Sequence, residues 1–144
     1  MSATAMPSAL RRALQRYIDA RQAALVLARR ELGVNELDAR ALLFVADNPG
    51  TRPTNLREYL GITSAGVTTL IDRLVERGAV RRDIDPSDRR VNRITLTIDL
   101  NTEPWSALTK FDNDFEAAIA SSERAESERF ASALDALTAA VLKG

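Results

Sequence analysis

The 144-residue chain has no cysteine and no histidine. A thiol-based redox sensor, a zinc site built from Cys and His, and a histidine general base are therefore all excluded. No apolar run approaches the roughly 18 to 20 residues that a membrane-spanning helix requires. The opening residues MSATAMPSALRR place charge without a following apolar segment. No signal peptide is expected, and a cytoplasmic location is. The chain offers no phosphate-cradling glycine loop, no nucleophile–base pair and no metal-ligand signature. Neither an enzyme, a cofactor nor a bound metal is expected. Internal repeats and low-complexity linkers are also missing.

What is present suits one folded domain with a substantial core: 45% of residues are apolar and 28% charged. The net charge is zero, which taken alone argues against a nucleic-acid partner, but the charges are unevenly placed. Residues 51–97 hold nine arginines against six acidic residues, a net of +3. Residues 98–144 hold four basic and nine acidic residues, a net of −5, and residues 1–50 carry +2. One face for phosphate and another for something else is the expectation.

Pro7 and Ser8 open a long helical pattern in which Leu10, Leu14, Tyr17 or Ile18, Arg21, Leu25, Ala28 and Leu32 recur every three or four residues. Gly33 ends it. Asn35 caps a second helix, with Asp38 in its first turn, which stops at Asp47-Asn48-Pro49-Gly50. Pro53 starts a short third helix expected to bury Leu56, Tyr59 and Leu60, and Gly61 ends it. Thr63 is the candidate cap of a fourth helix running to about Arg77, with Val67, Leu70, Ile71 and Leu74 inward.

The period then drops towards 2: residues 80–82 and 91–97 read as strands around an Asp85-Pro86-Ser87-Asp88 tip. From Thr102 the pattern is helical again, with Trp105, Leu108, Phe111 or Asp112, Phe115 and Ile119 on one side. After a break at Ser121-Ser122, Phe130, Leu134, Leu137 and Val141 step by 4, 3 and 4, the spacing of an interhelical seam. The fold class expected is mainly α with a small β-hairpin: a winged helix-turn-helix core plus N- and C-terminal dimerisation helices.

Two phrases sharpen this expectation. Asp72-Arg73-Leu74-Val75-Glu76-Arg77-Gly78 closes the fourth helix, and Asp85-Pro86-Ser87-Asp88-Arg89-Arg90 forms the hairpin tip before Leu96-Thr97. Both phrases, at this spacing and in this order of elements over nearly the whole chain, resemble the MarR family of bacterial transcription regulators. The resemblance implies a single domain over 1–144, with a DNA-binding region at 34–100 and dimerisation helices at 1–33 and 101–144. It implies a homodimeric, ligand-responsive repressor that places helix 64–77 in the major groove and wing 83–91 in the minor groove of a palindromic operator.

The implied DNA-contacting residues are Arg52, Thr63, Ser64, Ala65, Thr68, Thr69, Arg73, Asp88, Arg89 and Arg90. Arg90 would enter the minor groove, Asp88 would hold it across the tip, and Arg89 would sit near phosphate. The recognition face is otherwise small and neutral, so base discrimination by a bidentate contact would fall mostly to Arg73. The dimer would rest on Leu10, Leu14, Phe130, Leu134, Leu137 and Val141. A small phenolic or anionic effector would sit near Tyr17, Arg21, Phe44 and Trp105.

Each site has a plainer reading. Arg89 and Arg90 are either readers or solvated tip charges, and Arg73 either meets DNA or makes an intrahelical pair, for example with Glu76. Asp112, Asp114 and Glu116 read as solvated surface charge before they read as a metal site. Trp105, Phe111 and Phe115 are core residues in the plainer reading, and Tyr17 a buried phenol with a satisfied hydroxyl. A winged-helix module that docks a protein partner is the alternative function, although such a wing has no need of Arg89-Arg90.

Overall fold

A computed structural model describes residues 5–144. The chain separates into two compact units, the first ending at Thr109 and the second comprising Lys110–Gly144.

In the first unit, α1 (Ala9–Leu32), α2 (Glu36–Asp47), α3 (Pro53–Leu60) and α4 (Ser64–Glu76) precede β1 (Val80–Ile84) and β2 (Asn92–Leu96), and a 3-10 turn spans Trp105–Leu108. Three helix starts carry side-chain caps, those of Asn35 and Thr63 as expected. Ser8 accepts from the Arg11 amide at 3.2 Å, Asn35 from Asp38 at 2.8 Å and Thr63 from Gly66 at 3.0 Å. Each satisfies an amide that the first helical turn leaves without a backbone partner. Gly61 makes the α3–α4 corner with φ of 68°, a conformation that costs a side-chain-bearing residue energy.

Leu42, Leu56, Leu70, Ile71, Leu74, Ile94 and Leu108 are fully buried and join α2, α3, α4, β2 and the 3-10 turn; α1 adds Ala28 and Leu32, and β1 adds Val80. Tyr59 departs from expectation. It is half exposed because its ring stacks outside the core on Phe44, with centroids 4.4 Å apart.

The strands pair antiparallel from Val80↔Leu96 to Ile84↔Asn92. A third short segment joins them, which the sequence did not announce. Ile94 donates to the Thr51 carbonyl at 2.8 Å and accepts from the Gly50 amide at 3.0 Å. The turn before α3 thereby becomes an edge of the wing sheet.

Helical structure does not resume at Thr102. Pro104, which has no amide donor, precedes the 3-10 turn, and Thr109 donates its hydroxyl back to the Leu100 carbonyl at 2.9 Å. The next α-helix starts only at Lys110.

The second unit is a helical pair, α5 (Lys110–Ala120) and α6 (Arg124–Leu142), separated at Ser121-Ser122 where the Ser122 hydroxyl caps the Ile119 carbonyl at 2.6 Å. Phe115, Ile119, Phe130, Leu137, Val141 and Leu142 are exposed, and Leu134 is half-buried. No described helix is long and apolar enough to cross a membrane.

Candidate nucleic-acid interface

The stripe of α4 formed by Val67, Leu70, Ile71 and Leu74 is buried, which leaves Ser64, Ala65, Thr68 and Thr69 on its exposed side. Thr68 and Thr69 donate their hydroxyls to the carbonyls of Ser64 and Ala65, each at 3.0 Å. With the proton directed inward, each hydroxyl presents acceptor lone pairs and a methyl group outward. The Thr63 hydroxyl is already engaged as the helix cap.

The wing tip is held by its own carboxylates. Asp88 accepts from the Arg90 amide at 3.0 Å and from its guanidinium at 3.1 and 3.2 Å, and this holds the Asp88 carboxyl below its ordinary pKa, the side-chain bond contributing most. The Arg90 side chain is nonetheless 91% exposed. It is aimed but not covered. Arg89 is exposed beside it.

Asp85 does more than mark the tip. It is buried, accepts from the Ser87 amide at 2.8 Å, and pairs with Arg93 at 2.7 Å. Arg93 also donates to the Gly50 carbonyl at 3.1 Å, and Arg52 stands 3.9 Å from Asp85. The Ser87 bond first, and then Arg93, lower the Asp85 pKa. Asp85 and Arg93 thus bolt the base of the wing to the α2–α3 corner. Arg52, expected at DNA, lies half exposed at this bolt.

Arg73 is placed otherwise than the sequence suggested. Its Nε and Nη2 fork onto the buried carboxylate of Asp38, at 3.1 and 2.6 Å. This pair raises the Arg73 pKa, the hydrogen bond to Asp38 contributing most. The Nε–Nη2 edge of the guanidinium is occupied while the pair holds, although the side chain is 45% exposed, and its partner lies 35 residues away, not within α4. Two neighbours are tethered as well. Asp72 pairs with Arg82 of β1, and Arg77 donates to the carbonyls of Leu32 and Gly33 while lying over the Trp105 ring at 5.5 Å. No local sequence signal marks the ion-pair and carbonyl partners of Asp38, Arg77 and Arg93, because each is remote or on another element.

On α1, α2 and α3 an open cleft of about 890 Å³ is lined by Tyr17, Arg21 and Phe44 together with Arg29, Arg40 and Tyr59. The Arg40 guanidinium lies over the Tyr59 ring at 5.5 Å. Trp105, grouped with these residues from sequence, is absent from the lining because it packs beneath Arg77 instead.

An arginine-bearing wing beside the exposed face of a helix-turn-helix defines a winged helix-turn-helix fold. The family model described as MarR family matches residues 32–91 of this chain. A Thauera aromatica protein described as a candidate transcriptional regulatory protein for the hcr operon is 27% identical over 86 residues, 58% of this chain and 52% of that protein. The chain thus matches about half the length of that relative.

Among solved structures, a transcriptional regulator of Thermotoga maritima superposes with a TM-score of 0.62 at 22% identity, covering 93% of this chain and 94% of that one. A mutant of S. aureus MepR bound to an oligodeoxyribonucleotide gives 0.60 at 15% identity, covering 94% and 99%. MepR bound to ethidium bromide gives 0.62 at 17%, covering 89% and 94%. These structures share the fold.

Proposed function

We propose that the protein is a homodimeric, sequence-specific DNA-binding repressor that works in the bacterial cytoplasm and responds to a small organic ligand. The observation that carries this reading is the pairing of an exposed Ser64, Ala65, Thr68 and Thr69 face with an Arg90 guanidinium pre-aimed by Asp88. Small polar and methyl groups suit base edges and phosphate oxygens in the major groove, and a projecting guanidinium suits the negative potential of a narrow minor groove. Arg89 adds charge for phosphate. The DNA-bound MepR mutant of the same fold supports the reading.

Two further features support its other parts. Phe130, Leu137 and Val141, with half-buried Leu134, leave an apolar stripe on α6 that a second copy would cover, with Leu10 and Leu14 of α1 adding to the interface. The cleft gives Tyr17, Phe44 and Tyr59 as aromatic surface. Its three arginines, Arg21, Arg29 and Arg40, outnumber the acids Glu36 and Asp47 in its lining, which favours an aromatic anion such as a phenolic acid. A ligand complex of MepR supports an effector for this fold.

The test is selection of duplexes from a random-sequence pool by the purified protein. An inverted repeat with half-sites about one helical turn, roughly 34 Å, apart is expected. Recovery of no enriched sequence would overturn the reading.

A further inference from the structure

Arg73, in the last turn of α4, and Arg77, its C-cap residue, lie one turn apart and so share a face. Both reach back to the same place. Arg73 forks onto Asp38 in the first turn of α2, and Arg77 caps the last carbonyls of α1 at Leu32 and Gly33. Between them they grip residues 32–38, the corner where α1 turns into α2. We propose that this two-arginine clasp sets the position of the α4 reading face, and that Arg73 is a positioning residue and not a reader of bases. The inference rests on α4 being the DNA-contacting helix.

The physical case begins with what the rest of the α4 contact lacks. Val67, Leu70, Ile71 and Leu74 bury the helix, but apolar burial is non-directional and tolerates small rotations. A forked guanidinium–carboxylate pair has fixed geometry and does not. Asp38 is only 5% exposed, so it cannot turn to water if Arg73 leaves. An uncompensated buried carboxylate is strongly unfavourable. A base contact through the Nε–Nη2 edge would therefore have to replace the Asp38 pair.

Asp72, next along the helix, is tied to Arg82 of β1, so α4 is held on a second side by the wing. The reading face stays outside both tethers. The clasped corner is also the junction of the two helices that wall the cleft, so a ligand that spread α1 from α2 would act directly on Asp38 and on the α1 carbonyls.

The test uses the full chain and one duplex, selected by the wild type from a random pool. Binding is titrated over a range of salt concentrations for the wild type and for Asp38→Asn, Arg73→Ala, Arg73→Lys and Arg90→Ala, at a temperature where circular dichroism shows each to be folded. If the clasp positions the helix, Asp38→Asn weakens binding. A fall of the reading-competent fraction to about one tenth raises the apparent Kd about tenfold. The salt slope stays that of the wild type, because the bound state makes the same phosphate contacts. Arg73→Ala does the same, and a variant combining Asp38→Asn with Arg73→Ala is no worse than either single one.

Arg73→Lys, which keeps the charge but not the fork, is also weakened, and it decides the question should Asp38→Asn fail to fold. If Arg73 is a reader, Arg73→Ala lowers the salt slope or relaxes preference at one base position, and a reader that must leave Asp38 to reach DNA binds equally or more tightly in Asp38→Asn. Either of those results overturns the clasp. A pool that yields no bound duplex overturns the DNA-binding reading itself.

Discussion

Replacement of Arg90 by alanine separates reading from folding. In the free protein the Arg90 side chain is 91% exposed, and its bonds go only to Asp88, two residues earlier. Ion pairs this exposed contribute about 0–1 kcal/mol. For a chain of this size such a change moves Tm by no more than about 2–4 °C. The cost on DNA is larger by comparison. A well-placed arginine contact is worth about 1–3 kcal/mol, and a two-fold dimer loses it twice. The sum of at least about 2 kcal/mol corresponds to a Kd raised some thirtyfold or more. Two fewer ionic contacts per dimer also lower the slope of log K against log salt by about 2. Differential scanning calorimetry and fluorescence-anisotropy titration on a selected operator give both quantities. Arg90→Ala binding with wild-type affinity and slope would refute the role given to the wing; a large fall in Tm would show that the tip belongs to the fold after all.

The remaining predictions concern the core, the wing base and assembly. Leu56 is fully buried, so Leu56→Ala should cost about 2–5 kcal/mol through lost burial and a residual cavity, and a Tm within about 2 °C of wild type would contradict its place in the core. The lowered pKa of Asp85 means that its contribution to wing stability is complete above the ordinary aspartate value near 3.9 and is lost as pH falls below it through the folded value; carboxyl-carbon NMR titration should find its midpoint below the ordinary one, and a midpoint at or above that value counts against the bolt to Ser87 and Arg93. The wild type should sediment as a dimer at micromolar concentration, and Leu134→Asp with Leu137→Asp should give a monomer because a dimer would bury unpaired charge; a monomeric wild type removes the proposed use of the α6 stripe.

What the sequence by itself determined is the part governed by neighbours. Ser8, Asn35 and Thr63 cap helices because their oxygens reach amides three residues on, and Gly33 and Gly61 end helices because the left-handed turn there favours glycine. The four-residue stripe of α4 and the alternation around residues 80–97 follow from helix and strand periods. The Asp88–Arg90 contact was expected from the family resemblance, and its partners are only two residues apart.

Tertiary structure decided which charge meets which. Arg73, with Glu76 within reach along its own helix, instead takes Asp38, and only the crossing of α2 and α4 brings those two together. Asp85 finds Arg93 and the Gly50 corner because Thr51 joins the wing sheet through Ile94, a pairing no periodicity encodes. Trp105 leaves the cleft for Arg77 because Pro104 and the 3-10 turn reset the face that a continuous helix would have shown. Local patterns specify faces and ends with short-range geometry. With 20 basic and 20 acidic side chains available, the choice among ion pairs belongs to the packing of elements far apart in the chain.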